Sequence, residues 1–113
     1  MNSAKIILLL AGTFLTSALF AADAEENWKQ HCVRCHGPDG KGATKMGRKL
    51  KVKDLTQEKT QKRLTDDDIT DLLANGYKDN SGEERMPAFG DKLSHEERTA
   101  LIAFVRSLKN GTP

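Results

Sequence analysis

The strongest constraint on this 113-residue chain is the segment Cys32-Val33-Arg34-Cys35-His36, which contains its only two cysteines. Two thiols three positions apart can reach the two vinyl groups on one edge of a haem. The histidine that follows then lies under the ring, where its imidazole can bind the iron. C-x-x-C-H is therefore the pattern of covalent haem attachment. We predict one covalently attached haem c with its iron, Cys32 and Cys35 as thioether anchors and His36 as the first axial ligand.

Two other uses of paired cysteines fit the chain less well. A thiol oxidoreductase of the thioredoxin type needs C-x-x-C beside a βαβ pattern, and the sequence has no such pattern. A zinc site would draw its ligands from His31, Cys32, Cys35 and His36. Four ligands within six residues do not readily close a tetrahedron, and the chain has no second pair of cysteines.

Residues 1–24 are typical of a secretory signal peptide. Lys5 is followed by seventeen uncharged residues and then by small residues in the A-x-A arrangement of a cleavage site. The expected cut follows Ala21, Ala22 or Ala24. The alternative is an uncleaved membrane anchor, which we favour less because seventeen residues are at the lower limit for crossing the hydrocarbon core. We therefore expect an exported protein.

Removal of the signal peptide leaves residues 25–113, a single domain in which 26 of 89 residues are apolar. A domain of this size buries little surface and usually needs a disulfide, a metal or another covalent constraint. A disulfide within C-x-x-C would close a loop too short to stabilise the fold much. A haem would instead provide a large apolar body around which the thin core could close.

Four segments have the spacing or the capping residues of helices, so the mature chain is predicted to be all-α. Apolar residues recur every four positions in the first segment. Thr65 and Ser94 stand where N-caps are preferred, and Ser94 with Glu97 forms a capping box. The predicted helices span about 24–33, 54–63, 66–75 and 95–108. We expect irregular loops at 40–55 and 77–93, and no strand.

The iron needs a second axial ligand if it is to be closed to substrates. The candidates are Met46, Met86, His31 and His95. Met86 is favoured because the proline after it blocks a helix and favours an extended backbone that can present a side chain into a crevice. His31 and His95 are more typical of exposed surface residues. A histidine–methionine pair raises the haem potential and fills both iron sites, which predicts electron transfer and not catalysis. If Met86 does not bind, the alternative is an open-site haem protein that senses a gas or reduces peroxide.

Charge is unevenly distributed, although the net charge is only +2. Residues 41–63 hold nine Lys or Arg against two acids, whereas residues 64–97 hold ten acids against three bases. Such polarity orients encounters with a charged protein and makes their rates salt-dependent, although a solvated surface explains it equally well. The basic stretch has no interleaved aromatic residues, so nucleic acid is not an expected partner.

Three stretches resemble the class I c-type cytochromes, the small monohaem electron carriers of bacterial periplasm and mitochondria. HCVRCHGPDGKG resembles their haem-binding segment, RMPAFGDKLSHEE their axial-methionine loop, and LIAFVRSL their C-terminal helix. The resemblance covers residues 24–109. It implies a cytochrome c fold of three to four helices wrapped around one haem, in which Trp28 crosses Leu101 and Phe104.

The same resemblance implies a periplasmic monomer that shuttles single electrons between a reductase and an oxidase, with transient docking at membrane complexes. One departure concerns His36. Many members carry Gly-Pro-x-Leu, in which the proline carbonyl accepts a hydrogen bond from the ligand imidazole. Here the stretch is Gly47-Arg48-Lys49-Leu50. A backbone carbonyl remains at Arg48, so the resemblance still implies a bond that would orient His36.

Overall fold

A computed structural model describes residues 15–111 and contains six α-helices and one short hairpin. The helices are α1 Leu15–His31, α2 Val33–His36, α3 Lys45–Leu50, α4 Glu58–Arg63, α5 Asp66–Asn75 and α6 His95–Ser107. The strands are β1 Tyr77–Lys78 and β2 Glu84–Met86, and a 3-10 turn follows at Lys109–Gly111. The predicted helical class is confirmed. None of the helices between residues 15 and 111 is long and apolar enough to cross a membrane. Residues 1–14 of the expected signal peptide lie outside the described residues, and its residues 15–24 belong to α1.

The base of the fold is the contact between α1 and α6. Ala24 and Trp28 on α1 are 2% and 4% exposed, and Leu101 on α6 is 1% exposed. The rings of Trp28 and Phe104 lie 5.1 Å apart between centroids. This is the packing that the resemblance implied.

Side-chain caps begin both long helices of the second half of the chain. Ser94 Oγ accepts from the backbone N–H of Glu97 at 3.1 Å, and the Glu97 carboxylate accepts from the backbone N–H of Ser94 at 3.0 Å. Thr65 and Asp68 form the same reciprocal pair at the start of α5. Hydrogen bonds from the capping residues lower the pKa of Asp68 and of Glu97. Both predicted caps are confirmed.

The cap of α6 also ties that helix to α1. Asn27 is buried and donates through Nδ2 to Glu97 Oε2 at 2.9 Å. Glu97 therefore serves two purposes, because one oxygen caps α6 and the other accepts from α1. The bond therefore holds the first turn of α6 beside Asn27 of α1.

The expectation of two irregular loops was wrong in part, and the expectation of no strand was wrong. Helix α3 lies within the first loop, where Thr44 Oγ1 caps it by accepting from the backbone N–H of Gly47 at 2.8 Å. Only Gly47 of its six residues is buried, so the segment carries no apolar stripe. The second loop contains the hairpin, in which Tyr77 is the partner of Met86. Strands of two and three residues are too short to produce a readable alternation.

A buried glutamine attaches α4 to α6. Gln61 Nε2 donates to the carbonyl oxygens of Leu55 at 2.6 Å and Val105 at 2.9 Å. Arg106 in turn donates to Gln61 Oε1 at 2.9 Å and to the Leu64 carbonyl at 2.6 Å. The accepting carbonyls belong to the loop before α4, to the residue after α4 and to the last turn of α6, and leaving them unpaired when buried would be costly.

Replacing Ser94 by Ala should lower the free energy of unfolding by about 1 kcal/mol, because the substitution removes the N-cap acceptor. Thr99→Ala is the matched control in the same helix. Thr99 Oγ1 bonds only the carbonyl of His95 one turn back, so this change should be neutral or slightly stabilising. Urea denaturation of the haem-containing protein would measure both. Equal stability of the two variants would contradict the assigned cap.

Candidate cofactor site

The cysteine–histidine motif occupies one helical turn after α1. The backbone N–H groups of Cys35 and His36 both donate to the Cys32 carbonyl, at 3.2 and 2.9 Å. Residues three and four apart on a helix share a face. Cys32, Cys35 and His36 are therefore presented to the same side. The two thiols are not bonded to each other.

The side that they face is an apolar cleft with a volume of about 470 Å³, within the usual range for cofactor sites. Cys32, Cys35, His36 and Met86 all line it. Its apolar walls are Leu50, Val52, Leu55, Leu64, Leu72, Pro87 and Phe89. A smaller cavity of about 90 Å³ is lined by Leu101 and Val105, and Cys32, His36 and Met86 line it as well. The structure therefore brings all four predicted site residues together.

His36 is held against Trp28. Their ring centroids are 5.5 Å apart, and Trp28 Nε1 donates to the carbonyl of Gly37 at 3.1 Å. Burial lowers the pKa of the His36 imidazole. It is therefore neutral at pH 7, which is the form that binds a metal. Burial, and then the proximity of Cys35, raise the pKa of the Cys32 thiol to about 12.

The bond from His36 to the Arg48 carbonyl, which the resemblance implied, is not formed. The Arg48 carbonyl accepts from the backbone N–H of Lys51 at 3.3 Å. Nδ1 of His36 is buried and has no hydrogen-bond partner among the described residues. In this structure the imidazole packs against Trp28.

Helix α3 and the residues just before it contact the backbone carbonyls of the attachment motif. Thr44 Oγ1 donates to the Cys35 carbonyl at 2.8 Å, and the backbone N–H of Gly42 donates to the His36 carbonyl at 2.8 Å. A Cβ on Gly47 would overlap the carbonyl oxygens of Gly42 and Cys35. Only glycine therefore permits α3 to lie this close to the attachment motif.

The segment that carries Met86 lies on the C-terminal end of α5. A Cβ on Gly76 would come within 2.5 Å of the Met86 carbonyl oxygen and 2.8 Å of the Ala88 nitrogen. Gly76 also has a φ of +70°, a conformation that side chains rarely adopt. Position 76 therefore needs glycine because of both the overlap and the positive φ. The absence of a side chain there lets β2 lie against the end of α5.

Two backbone bonds extend this attachment beyond Met86. The N–H of Phe89 donates to the Leu73 carbonyl at 2.9 Å, and the N–H of Gly90 donates to the Ala74 carbonyl at 3.1 Å. They satisfy carbonyls in the last turn of α5, which have no partner within the helix. The chain is therefore fixed on the C-terminal side of Met86.

The other candidates for the second axial position are placed differently. Met46 on α3 and His95 in the first turn of α6 do not line the cleft. His31 lines it but is exposed, and its ring packs edge-on against Phe89 with a centroid distance of 5.6 Å.

Four charged residues also line the cleft: Lys51, Lys53, Asp79 and Arg85. The two lysines belong to the basic stretch of residues 41–63, but Asp79 and Arg85 were not assigned a role from the sequence. Asp79 begins the stretch Asp-Asn-Ser-Gly, whose Asx-turn signature could have drawn attention to it. The contact of Trp28 with His36 was also missed, because His36 lies beyond residue 33, where the first helix was predicted to end.

The fold and the cleft define a small haem protein of the c type, and comparison with known proteins identifies its family. Residues 20–105 match the family model described as cytochrome c oxidase, cbb3-type, subunit III. The match covers most of the chain, which therefore belongs to this family of c-type cytochromes. Its fold is that of cytochrome c, and its cofactor is covalently bound haem c with iron.

Two solved structures are similar over most of their length. A c-type cytochrome designated KustC0563 is 32% identical and superposes with a TM-score of 0.68, covering 77% of this chain and 98% of its own. A tyrosine-to-phenylalanine mutant with the same designation is also 32% identical, with a TM-score of 0.66 over 77% and 99% of the two chains. No curated protein matches the sequence.

The residues at the cleft fit the cofactor of the family. Two unpaired thiols and a neutral imidazole face the same apolar space, and a thioether borders it as well. These are the donor groups that covalent attachment and histidine–methionine ligation require.

Replacing Gly76 by Ala should destabilise the protein more than the same change at Gly82. Both positions have positive φ, but a Cβ on Gly82 meets nothing within 4 Å. At Gly76 the ψ of −167° adds backbone strain to the overlap with the Met86 segment, so Gly76→Ala should cost about 1–3 kcal/mol more than Gly82→Ala. Denaturant titration of the two variants would measure it. Equal losses of stability would show that β2 can move away from α5 without cost.

Proposed function

We propose that Cys32 and Cys35 hold the haem through two thioethers and that His36 and Met86 are the axial ligands of its iron. The observation that carries this proposal is that the four side chains line one apolar cleft. Each attachment adds a thiol S–H across a vinyl double bond. The sulfur bonds one carbon and the hydrogen goes to the other, so no external oxidant or reductant is consumed.

This assignment makes the protein a one-electron carrier and not an enzyme. Bound haem would give up a single electron when its iron is oxidised from ferrous to ferric, and would take one up on reduction. Ligation by both His36 and Met86 would leave no site on the iron for a substrate. The apolar walls exclude water, and the attachment of the Met86 segment to α5 resists movement of the thioether. A cofactor with a fixed environment needs little rearrangement to gain or lose an electron.

We place the carrier in the periplasm, as a monomer exported by the signal peptide of residues 1–24. The support is the lysine, the uncharged run and the small residues before the expected cut. Haem c attachment outside the cytoplasm agrees with this location.

We further propose that larger redox proteins, a reductase and an oxidase, dock on a basic face beside the cleft. The basic face consists of the exposed side chains of Lys41, Lys45, Arg48, Lys49, Lys51 and Lys53. None of them forms an ion pair with another described residue. Lys51 and Lys53 border the cleft itself. An acidic partner surface would thus be drawn to the side on which the haem lies.

Replacing Met86 by Ala should leave the haem attached but open one side of the iron. The oxidised variant should lose the thioether–iron absorption band, and the reduced variant should bind carbon monoxide. Pyridine haemochrome spectra would confirm that attachment is intact. Unchanged axial coordination in Met86→Ala would refute the ligand assignment, and absence of covalent haem in the wild type would refute the whole proposal.

The second candidate function, an open-site sensor or peroxide reductase, is tested on the wild type alone. A closed iron should bind carbon monoxide poorly when reduced. Ready binding by the unmodified protein would favour the sensor or enzyme over the carrier.

Reversing charge on the basic face should change electron-transfer rates according to the charge of the reagent. Lys51→Glu/Lys53→Glu should slow oxidation of the ferrous protein by ferricyanide roughly tenfold at low salt, and the difference should shrink near 0.15 M salt. A cationic cobalt complex should react faster with the same variant. Stopped-flow absorbance would follow both reactions.

Lys59→Glu/Arg63→Glu is the matched control for that experiment. It changes the net charge equally, but neither residue lines the cleft. Equal rates for the two double variants would mean that overall charge, and not the basic face, sets the rate.

A further inference from the structure

The hairpin that ends at Met86 is closed by a single carboxylate. Asp79 Oδ1 accepts from Ser81 N–H at 2.9 Å, from Ser81 Oγ–H at 2.6 Å and from Glu83 N–H at 3.0 Å. Asp79 Oδ2 accepts from Arg85 Nε–H at 2.9 Å. Oδ1 thus accepts three of these bonds and Oδ2 accepts one, so both oxygens of the carboxylate are bonded within the hairpin.

Backbone bonds complete the same turn. The N–H of Asp79 donates to the Glu83 carbonyl at 3.0 Å, and the N–H of Gly82 donates to the Asp79 carbonyl at 2.9 Å. A two-stranded hairpin is marginally stable at best without further support. The strands here contain only two and three residues. The hydrogen bonds of the turn around Asp79 must therefore contribute much of the stability that keeps β2 paired with β1 in this register.

Asp79 and Arg85 also border the cofactor cleft together with Met86. Their side chains are 22% and 30% exposed, so the pair is partly shielded from solvent. Arg85 directly precedes Met86, which places the ion pair one residue from the proposed ligand. Hydrogen bonds from Ser81 and Arg85 lower the pKa of Asp79 to about 2, so the carboxylate is ionised at neutral pH.

We infer that Asp79 is a positioning residue for Met86, because its bonds to Ser81, Glu83 and Arg85 fix the strand that presents the thioether to the iron. The inference rests on the proposed role of Met86. The C-terminal side of Met86 is already fixed by α5, through Gly76 and the carbonyls of Leu73 and Ala74. Asp79 fixes the N-terminal side. Without it, β2 can swing away about its attachment to α5 and release the thioether while the helices stay folded.

Competition for the iron tests the inference on the oxidised, haem-containing protein. Imidazole binds only where Met86 has dissociated, so its apparent affinity rises with the dissociated fraction. Asp79→Ala should bind imidazole roughly tenfold more tightly than the wild type, in line with the loss of hydrogen bonds to a charged group. Its thioether–iron band should weaken as well. If Asp79→Ala does not fold, Asp79→Asn serves instead, since it can still accept from Ser81 and Glu83 but cannot form the ion pair.

Two controls separate positioning from general effects. Glu84→Gln removes the same charge from the same hairpin, but Glu84 is exposed and its side chain makes no hydrogen bond to a described residue. Ser94→Ala destabilises the fold at α6 and leaves the hairpin intact. Both should bind imidazole as the wild type does.

The inference is overturned if the Asp79 variants bind imidazole with wild-type affinity, or if either control tightens binding as much as they do. Failure of the proposed function would look different. In that case Met86→Ala itself would keep the wild-type spectrum and imidazole affinity, whatever happens at Asp79.

Discussion

The structure depends on holding two segments that are distant in sequence at one apolar cleft. One segment is the turn that ends at His36, and the other is β2, which ends at Met86. The core is thin, because among the described residues only eleven apolar side chains are buried, and of these only Leu101 and Leu108 are fully so. Apolar burial of this extent cannot by itself fix the distance between the two segments. Each segment is instead supported from behind by contacts made to its backbone.

The two supports use the same physical means. Gly47 lets α3 approach the carbonyl oxygens of Gly42 and Cys35. Gly76 lets the end of α5 approach the carbonyl oxygen of Met86. In both places the missing Cβ permits contact between main chains, whose positions are determined more firmly than those of long side chains. Polar side chains then complete each support. Thr44 bonds the carbonyl of Cys35, and Asp79 closes the hairpin before Met86.

Much of this arrangement could be predicted because its signals are local. Capping residues act on backbone groups three positions away, so Ser94 and Thr65 could be identified directly. The four cleft residues could be proposed because C-x-x-C-H and Met-Pro each restrict their own neighbourhood. The supports could not be predicted. Helix α3 has one buried residue, the hairpin has two- and three-residue strands, and the contact of Gly76 with Met86 joins the ends of different elements. No periodicity encodes such contacts, since they arise only when the chain is folded.

The bond between Asn27 and Glu97 has a consequence for the order in which the molecule assembles. It joins residues 70 positions apart, across almost the whole mature chain. A contact of this separation forms only after the intervening chain has been closed into a loop, at an entropic cost that local helix formation does not carry. We therefore expect the docking of α6 onto α1 to be a late and cooperative step. In a chain still being synthesised, the attachment motif is therefore made before the thirteen-residue helix α6. Until α6 is made, the motif lacks the contact between α1 and α6.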